Sequence, residues 1–183
     1  YDLVIGNPPF DELNKSEFDL ITSKNNISLE QKIPQNQFAL LYLDQAMSLL
    51  KQNAMLCLVM PSGSLLYNNT LDFRKYFFSK YNVEQILDFT NLSAVLFQGQ
   101  ANVAATALFV KKNKKLIDED IAHITINRTK AAKDRIYFEI DHYDYHWVSN
   151  EVACNSPYVW KANLLGGGRV FDLINRFEIN TSH

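Results

Sequence analysis

Residues 54–60, Ala-Met-Leu-Cys-Leu-Val-Met, form an unbroken apolar run that constrains the fold of this chain more than any other segment. Strands that are apolar on both faces are typical of parallel sheets, which are covered by helices on both sides. The run lies between residues 35–52, where apolar side chains recur at helical spacing, and residues 71–80, which predict a second helix with Thr70 as its N-cap. The sequence therefore predicts an α/β fold built around this buried strand.

Two further apolar segments follow with no helix between them. Residues 83–89 and residues 101–111 both predict strands, and residues 91–100 form an irregular link. Parallel neighbours need a long crossover, so strands this close in sequence are expected to pair antiparallel. The order strand, helix, strand, helix, strand, strand predicts the second half of a doubly wound α/β sheet with an antiparallel terminal strand.

The composition changes after the last of these strands. Residues 121–126 alternate like a strand, residues 137–147 are rich in aromatic side chains, and residues 168–177 have one apolar helical face. We therefore expect a main α/β domain in residues 1–112 and a smaller α+β tail in residues 113–183.

Residues 11–34 form a polar stretch with weak helical periodicity around Phe18, Leu20 and Ile21. This pattern predicts a long mobile loop that contains one short helix. Long loops beside a site often act as lids or binding loops. A family insertion without a role is the alternative, and the sequence favours neither.

A short apolar strand at residues 3–5 stops at a glycine, and residues 7–10 then read Asn-Pro-Pro-Phe. We expect this strand to be buried. Two consecutive prolines make a stiff loop at the carboxyl end of the strand, where open α/β sheets place their ligands. Asn7 Oδ1 and the Pro8 carbonyl can both accept hydrogen bonds from one NH₂ group, and Phe10 can stack on the ring that carries it.

Five aromatic side chains in the tail are open to two interpretations. They are Tyr143, Tyr145, Trp147, Tyr158 and Trp160. Aromatic side chains can stack nucleic-acid bases, but we favour core and interface packing because large aromatics usually bury much of their surface. The glycines at residues 166–168 are either a hinge or a turn at a helix start, and we favour the turn.

Composition argues against several classes of function. A net charge of −2 is unlike the basic bias of an independent DNA-binding module. The four histidines and two cysteines lack zinc-ligand spacing, and the apolar runs are too short for a membrane span. We therefore expect no metal, no membrane partner and a reducing, cytoplasmic location.

The Asn-Pro-Pro-Phe segment after an apolar strand resembles the catalytic motif, Asn/Asp-Pro-Pro-Tyr/Phe, of amino-methyltransferases that use S-adenosylmethionine. The chain is most similar to adenine-specific DNA methyltransferases of restriction-modification systems, in particular the fused type II enzymes that also carry nuclease and target-recognition parts. The resemblance covers residues 2–112 and continues more loosely to residue 167. It implies the C-terminal half of a Rossmann-like class I methyltransferase sheet, whose last strand is antiparallel.

The resemblance also implies roles for individual residues. The catalytic tetrad corresponds to Asn7, Pro8, Pro9 and Phe10. Phe97, just before the last strand of the main domain, fits the second aromatic that lies beside a flipped base. Asn36 and Phe38 match the start of the helix that lies near the cofactor, although Phe38 can also be a core residue, which we favour slightly.

The implied reaction is methylation of the N6 amine of adenine in double-stranded DNA after base flipping, EC 2.1.1.72. No G-x-G-x-x-G segment occurs in the sequence. We therefore expect a fragment of a prokaryotic cytoplasmic enzyme that begins at its catalytic strand, needs the remainder of the parent polypeptide, and is inactive alone. The alternatives are a protein-glutamine or RNA amino-methyltransferase and a non-catalytic scaffold that docks DNA or a partner subunit.

Overall fold

The computed structural model describes residues 1–67, 70–93, 103–113, 119–127 and 140–181 of the 183-residue chain. The strands are β1 (Leu3–Gly6), β2 (Met55–Pro61), β3 (Asn82–Asp88), β4 (Ala105–Lys111), β5 (Ile121–Thr125) and β6 (Tyr145–Val148). The α-helices are α1 (Lys15–Lys24), α2 (Phe38–Leu49), α3 (Leu71–Lys80), α4 (Asn150–Asn155), α5 (Val159–Gly166) and α6 (Gly168–Thr181). None of the helices in these ranges is long and apolar enough to cross a membrane.

The strands form one sheet in the order β1-β2-β4-β3-β5-β6. β1 is parallel to β2 and β3 is parallel to β5, whereas β4 is antiparallel to both of its neighbours and β6 is antiparallel to β5. The order in the sheet thus differs from the order in the chain, because β4 lies between β2 and β3. The prediction of an α/β fold with an antiparallel strand after the third parallel one is confirmed.

The centre of the sheet is apolar, but the prediction that its strand is buried on both faces is wrong, because Met55, Cys57 and Val59 on one face are only half-buried. The observed strand spans Met55–Pro61, with Leu56, Leu58 and Met60 completely buried. Helix α2 packs against this strand. The buried side chains of β2 therefore anchor the sheet between β1 and β4.

The first strand differs from its prediction. β1 is the outer strand of the sheet, and Leu3 and Ile5 are 53% and 71% exposed. Val4 points to the opposite face and packs against the core, because successive strand residues alternate between faces. The expectation of a buried strand is wrong, since the position of a strand in its sheet depends on partners far away in sequence.

Helix α2 is shorter than the predicted span of residues 35–52. It covers Phe38–Leu49, and a short 3₁₀ turn precedes it. Gln35 and Asn36 have φ values of 51° and 50°, which lie in the left-handed region and cannot continue a right-handed helix. The start of the helix is therefore set by backbone geometry that apolar periodicity does not show.

The starts of α3 and α1 are fixed by different contacts. Helix α3 has the predicted bounds and Thr70 is its N-cap residue, as predicted, but the Thr70 hydroxyl makes no cap hydrogen bond and donates instead to the Leu65 carbonyl at 3.4 Å. Helix α1 is the short helix predicted within the polar stretch, and it begins with a capping box. The Asn14 side chain accepts from the Glu17 amide at 2.9 Å, and the Glu17 carboxylate accepts from the Asn14 amide at 3.0 Å.

The tail extends the same sheet. Strand β5 and helix α6 confirm the elements predicted at residues 121–126 and 168–177. Strand β6 is the end of the aromatic segment, of which residues 137–139 lie outside the described part of the chain. The proposed domain boundary after residue 112 stays a prediction.

The tail aromatics divide into two groups. Trp160 is fully buried and lies edge-on to Phe78 and His123, with ring centroids 5.9 and 5.1 Å away. The four others, Tyr143, Tyr145, Trp147 and Tyr158, are between 42% and 75% exposed. Core packing is therefore confirmed for Trp160, whereas the other four side chains lie outside the core and their packing in an interface stays a prediction. The turn at the glycines is confirmed, because Gly167 has φ 73° and ends α5.

Candidate functional site

Residues 7–10 leave the sheet at the carboxyl end of β1. Gly6 pairs with Leu58 of β2, and a Cβ at Gly6 would lie 3.0 Å from Leu58 Cδ2. A side chain there would press against β2, so the glycine permits the close approach of the two strands immediately before Asn7. Beyond it, residues 7–10 line an open cavity of about 300 Å³.

The four residues of this loop differ in exposure. Asn7 and Pro9 are exposed, Pro8 is buried, and Phe10 is half-buried against the main core. Within the described part of the chain, no donor hydrogen-bonds to the Asn7 carboxamide or the Pro8 carbonyl. Both acceptors therefore have no internal donor, on a loop that the two prolines stiffen.

The segment before α2 lies against the far end of this loop. The Phe38 amide donates to the Asp11 carbonyl at 3.0 Å, and the Leu13 amide donates to the Asn36 carbonyl at 3.2 Å. The structure thus brings Asn36 and Phe38 beside residues 11–13, which directly follow the loop, with both side chains half-buried. Their contact with a cofactor stays a prediction. Phe97, predicted to lie beside the substrate, is outside the described residues.

A buried polar network lies at the carboxyl ends of β3 and β5. Asp88 accepts hydrogen bonds from His123 Nε2 at 3.3 Å, from the Thr90 amide at 2.9 Å and from the Tyr67 hydroxyl. His123 Nδ1 is 3.1 Å from Asn163 Nδ2. Asp88, His123 and Asn163, which connect β3, β5 and α5, are buried, whereas Tyr67 and Thr90 at the edge of the network are half-buried.

Burial alone raises the pKa of the Asp88 carboxyl, but its hydrogen bonds to His123, Thr90 and Tyr67 outweigh burial and lower that pKa below its ordinary value. The pKa of Tyr67 is raised, first by burial and then by the Asp88 charge. At neutral pH the carboxylate therefore accepts while the phenol donates. Sequence reasoning missed this network because its side-chain pairs lie 21 to 40 residues apart, and an acidic residue near a strand end was the sole local signal.

A second cavity, of about 510 Å³, lies away from residues 7–10. Its walls include His146, Asn163 and Phe171. Burial lowers the pKa of His146, and the nearby His123 lowers it further. Across the described ranges, no three His, Cys, Asp or Glu side chains are close enough together to hold a metal ion.

Comparison with known proteins places this geometry in context. The sequence profile of the Eco57I restriction-modification methylase family matches residues 1–97, which include β1, the Asn-Pro-Pro-Phe loop and the segment before α2. No curated protein sequence matches the chain.

Several solved structures share the fold. The methyltransferase subunit of a type I restriction-modification system from Streptococcus thermophilus is 19% identical, with a TM-score of 0.62, over 86% of this chain and 36% of that one. A modification subunit assigned to a type I restriction enzyme from Vibrio vulnificus is 20% identical, with a TM-score of 0.55, over 72% and 26%. A Listeria monocytogenes protein assigned to the class I S-adenosylmethionine-dependent methyltransferases is 17% identical, with a TM-score of 0.50, over 68% and 36%.

These identities are low, so the three similarities concern the fold. They agree with the predicted class I methyltransferase sheet. The chain spans between 26% and 36% of the length of these structures.

Proposed function

Because the chain belongs to the Eco57I restriction-modification methylase family, we propose that residues 7–10 catalyse methyl transfer from S-adenosylmethionine to the N6 amine of adenine in DNA. The observation that carries this proposal is the loop itself. Asn7, Pro8 and the aromatic ring of Phe10 line one open cavity, and neither the Asn7 carboxamide nor the Pro8 carbonyl has a hydrogen-bond donor in the described part of the chain.

The chemistry of these acceptors suits an exocyclic amine. Its lone pair is delocalised into the ring, so the nitrogen is a weak nucleophile. Two acceptors that hold its two N–H bonds direct the lone pair out of the ring plane and stabilise the positive charge that develops on nitrogen. Bound S-adenosylmethionine would supply the methyl group and its sulfur would leave as a neutral thioether, while Asn7 Oδ1 and the Pro8 carbonyl would hold the nitrogen, which gains the methyl group and then loses a proton. No separate base is needed, because the amine becomes acidic once it is alkylated.

The residues present fit the amine better than the cofactor. When bound, S-adenosylmethionine supplies a methyl group on a positively charged sulfur. Asn36 and Phe38 would border it, since both are half-buried and hydrogen-bond to residues 11–13, which directly follow the loop. A glycine-rich cofactor segment is not in this sequence, so the proposal includes the remainder of the parent polypeptide as a partner and inactivity of this segment alone.

Reaching the loop requires a base that has left the duplex. Phe10 is half-buried, which fixes its ring against the core while leaving part of it for stacking on an unpaired adenine. Rotating the base out of the stack costs a few kcal/mol, which stacking and hydrogen bonding in the pocket would have to offset. Phe97 is proposed as the second ring. Double-stranded DNA is therefore the proposed substrate, and a prokaryotic cytoplasm the proposed location.

The test is a methyl-transfer assay on the full-length polypeptide that carries this sequence. Labelled S-adenosylmethionine and unmodified duplex DNA are incubated, and nucleosides from the digested DNA are separated. We expect label in N6-methyladenine, and its loss in Asn7→Ala with folding retained. If the label appeared in RNA or in a protein glutamine instead, the substrate would be that molecule and not adenine in DNA. If the polypeptide neither transferred a methyl group nor bound the cofactor, the result would support the alternative of a non-catalytic scaffold.

A further inference from the structure

Gln37 lies between the two residues predicted to border the cofactor, and no role follows from the sequence for it. It is 4% exposed, although glutamine is usually a surface residue. Its Nε2 donates to Glu12 Oε1 at 2.8 Å, and Glu12 and Gln37 face each other in an isolated antiparallel bridge. A carboxylate can only accept, so the amide nitrogen must be the atom that faces Glu12.

The other end of the same amide is unsatisfied. Gln37 Oε1 is buried and has no hydrogen-bond partner in the described part of the chain. A buried polar atom without a partner lowers stability, and an apolar side chain of similar size would remove that cost. Stability therefore does not explain why a glutamine occupies position 37. Its hydrogen bond to Glu12, two residues after Phe10, suggests instead that Gln37 holds the preceding loop in position.

The hydrogen bond between Gln37 and Glu12 is one of several contacts that hold both ends of residues 7–13. We call this set of contacts the clamp. At one end, Gly6 is held by its pairing with Leu58 in the sheet. At the other end, the Asp11 carbonyl accepts from the first amide of α2, the Leu13 amide bonds to Asn36, and the Glu12 side chain bonds to Gln37. Residues 7–10 therefore span two fixed points, and the two prolines limit the conformations between them.

The geometry points to Gln37 as a positioning residue for methyl transfer: through Glu12 it holds the loop so that Asn7 Oδ1 and the Pro8 carbonyl meet the amine together. This inference rests on the proposed function. A small displacement of positioning groups lowers the rate of the chemical step more than it lowers binding. Gln37 should therefore affect kcat more than the KM for DNA.

The test compares variants of the full-length polypeptide. Gln37→Leu removes the hydrogen bond and the unsatisfied acceptor; we expect kcat to fall roughly tenfold or more with little change in KM, and Tm to stay the same or rise. Glu12→Ala, at an exposed site, should lower kcat similarly. The double variant should be no worse than either single variant, because both remove one interaction. Glu12→Gln keeps an acceptor and should keep kcat, and Gln52→Leu, at an exposed glutamine, is the control.

Two outcomes overturn the inference without touching the proposed function. The first is wild-type kcat in Gln37→Leu and Glu12→Ala while Asn7→Ala is inactive. The second is a loss in Gln37→Leu accompanied by a lowered Tm, which indicates a merely structural role. Hydrogen exchange of the peptide covering residues 7–13 gives a readout independent of activity. It should speed up in Gln37→Leu, and unchanged exchange contradicts the clamp even if the wild-type protein transfers no methyl group.

Discussion

Gly167 and Gly168 are adjacent but have different structural requirements. Gly167 has φ 73°, and a Cβ there would lie 2.8 Å from His146 Cε1, whereas a Cβ at Gly168 would meet nothing within 4 Å. Gly167→Ala should lower the free energy of unfolding by about 1–3 kcal/mol, because it adds a clash to a strained backbone conformation. Gly168→Ala is the matched control and should be neutral. Urea denaturation measures both, and equal effects would contradict the turn geometry.

The buried Asp88 carboxylate predicts a pH-dependent contribution to stability. Its pKa is lower in the folded chain than in the unfolded one, so its stabilisation is fully present above the unfolded value, near 4, and disappears as the pH falls through the folded value. Asp88→Asn should cost about 2 kcal/mol at pH 7, and the difference from wild type should shrink below about pH 4. Guanidinium denaturation between pH 7 and pH 3 measures it. A difference that stays constant over this range would mean that the carboxylate is not stabilised by its partners.

At the scale of elements, helix α1 depends on its cap more than on packing. None of its residues is fully buried, so little apolar burial stabilises it. Asn14→Ala removes the capping box and should cost about 1 kcal/mol of local stability. Faster hydrogen exchange of the α1 amides, with the sheet unchanged, is the expected result. Ser28→Ala, an exposed residue outside the helix, should change nothing, and unchanged exchange in Asn14→Ala would mean that tertiary contacts hold the helix.

Elements whose signals are local could be predicted from the sequence. Helix α3 has the predicted bounds, and β2 was recognised from its apolar run. The exposed position of β1 could not be foreseen, because it follows from sheet order. A π-helix, Gly63–Tyr67, was also missed, since apolar periodicity does not distinguish it from a loop.

In the candidate site, too, features with a local sequence signal could be predicted and features that depend on distant contacts could not. The Asn-Pro-Pro-Phe loop was found because its four residues are consecutive and follow a strand. Gln37 was missed, because its importance comes from burial and from a hydrogen bond across 25 residues. The roles of Asn36, Phe38 and Phe97 remain predictions.

At the scale of the whole molecule, one core joins residues on both sides of position 112. Leu58 and Val110 belong to the same buried cluster as Ile121, Val148 and Trp160. This arrangement predicts that the sheet and the tail unfold together, which bears directly on the proposed boundary between them. When several elements share one close-packed core, removal of one large side chain lowers the stability of every element that packs on it.

Trp160→Ala tests this cooperativity. Removing a fully buried indole should cost about 3–5 kcal/mol, and the loss should appear equally in β2 and β5 if the core is one unit. Hydrogen exchange of the peptides covering Met55–Pro61 and Ile121–Thr125 measures both strands under the same conditions. Trp147→Ala, at a tryptophan that is 67% exposed, is the control and should leave both unchanged. Loss of hydrogen-exchange protection in β5 alone would instead mean that the tail unfolds as a separate domain. In that case α5 stabilises β5 but does not stabilise the part of the sheet that positions residues 7–10.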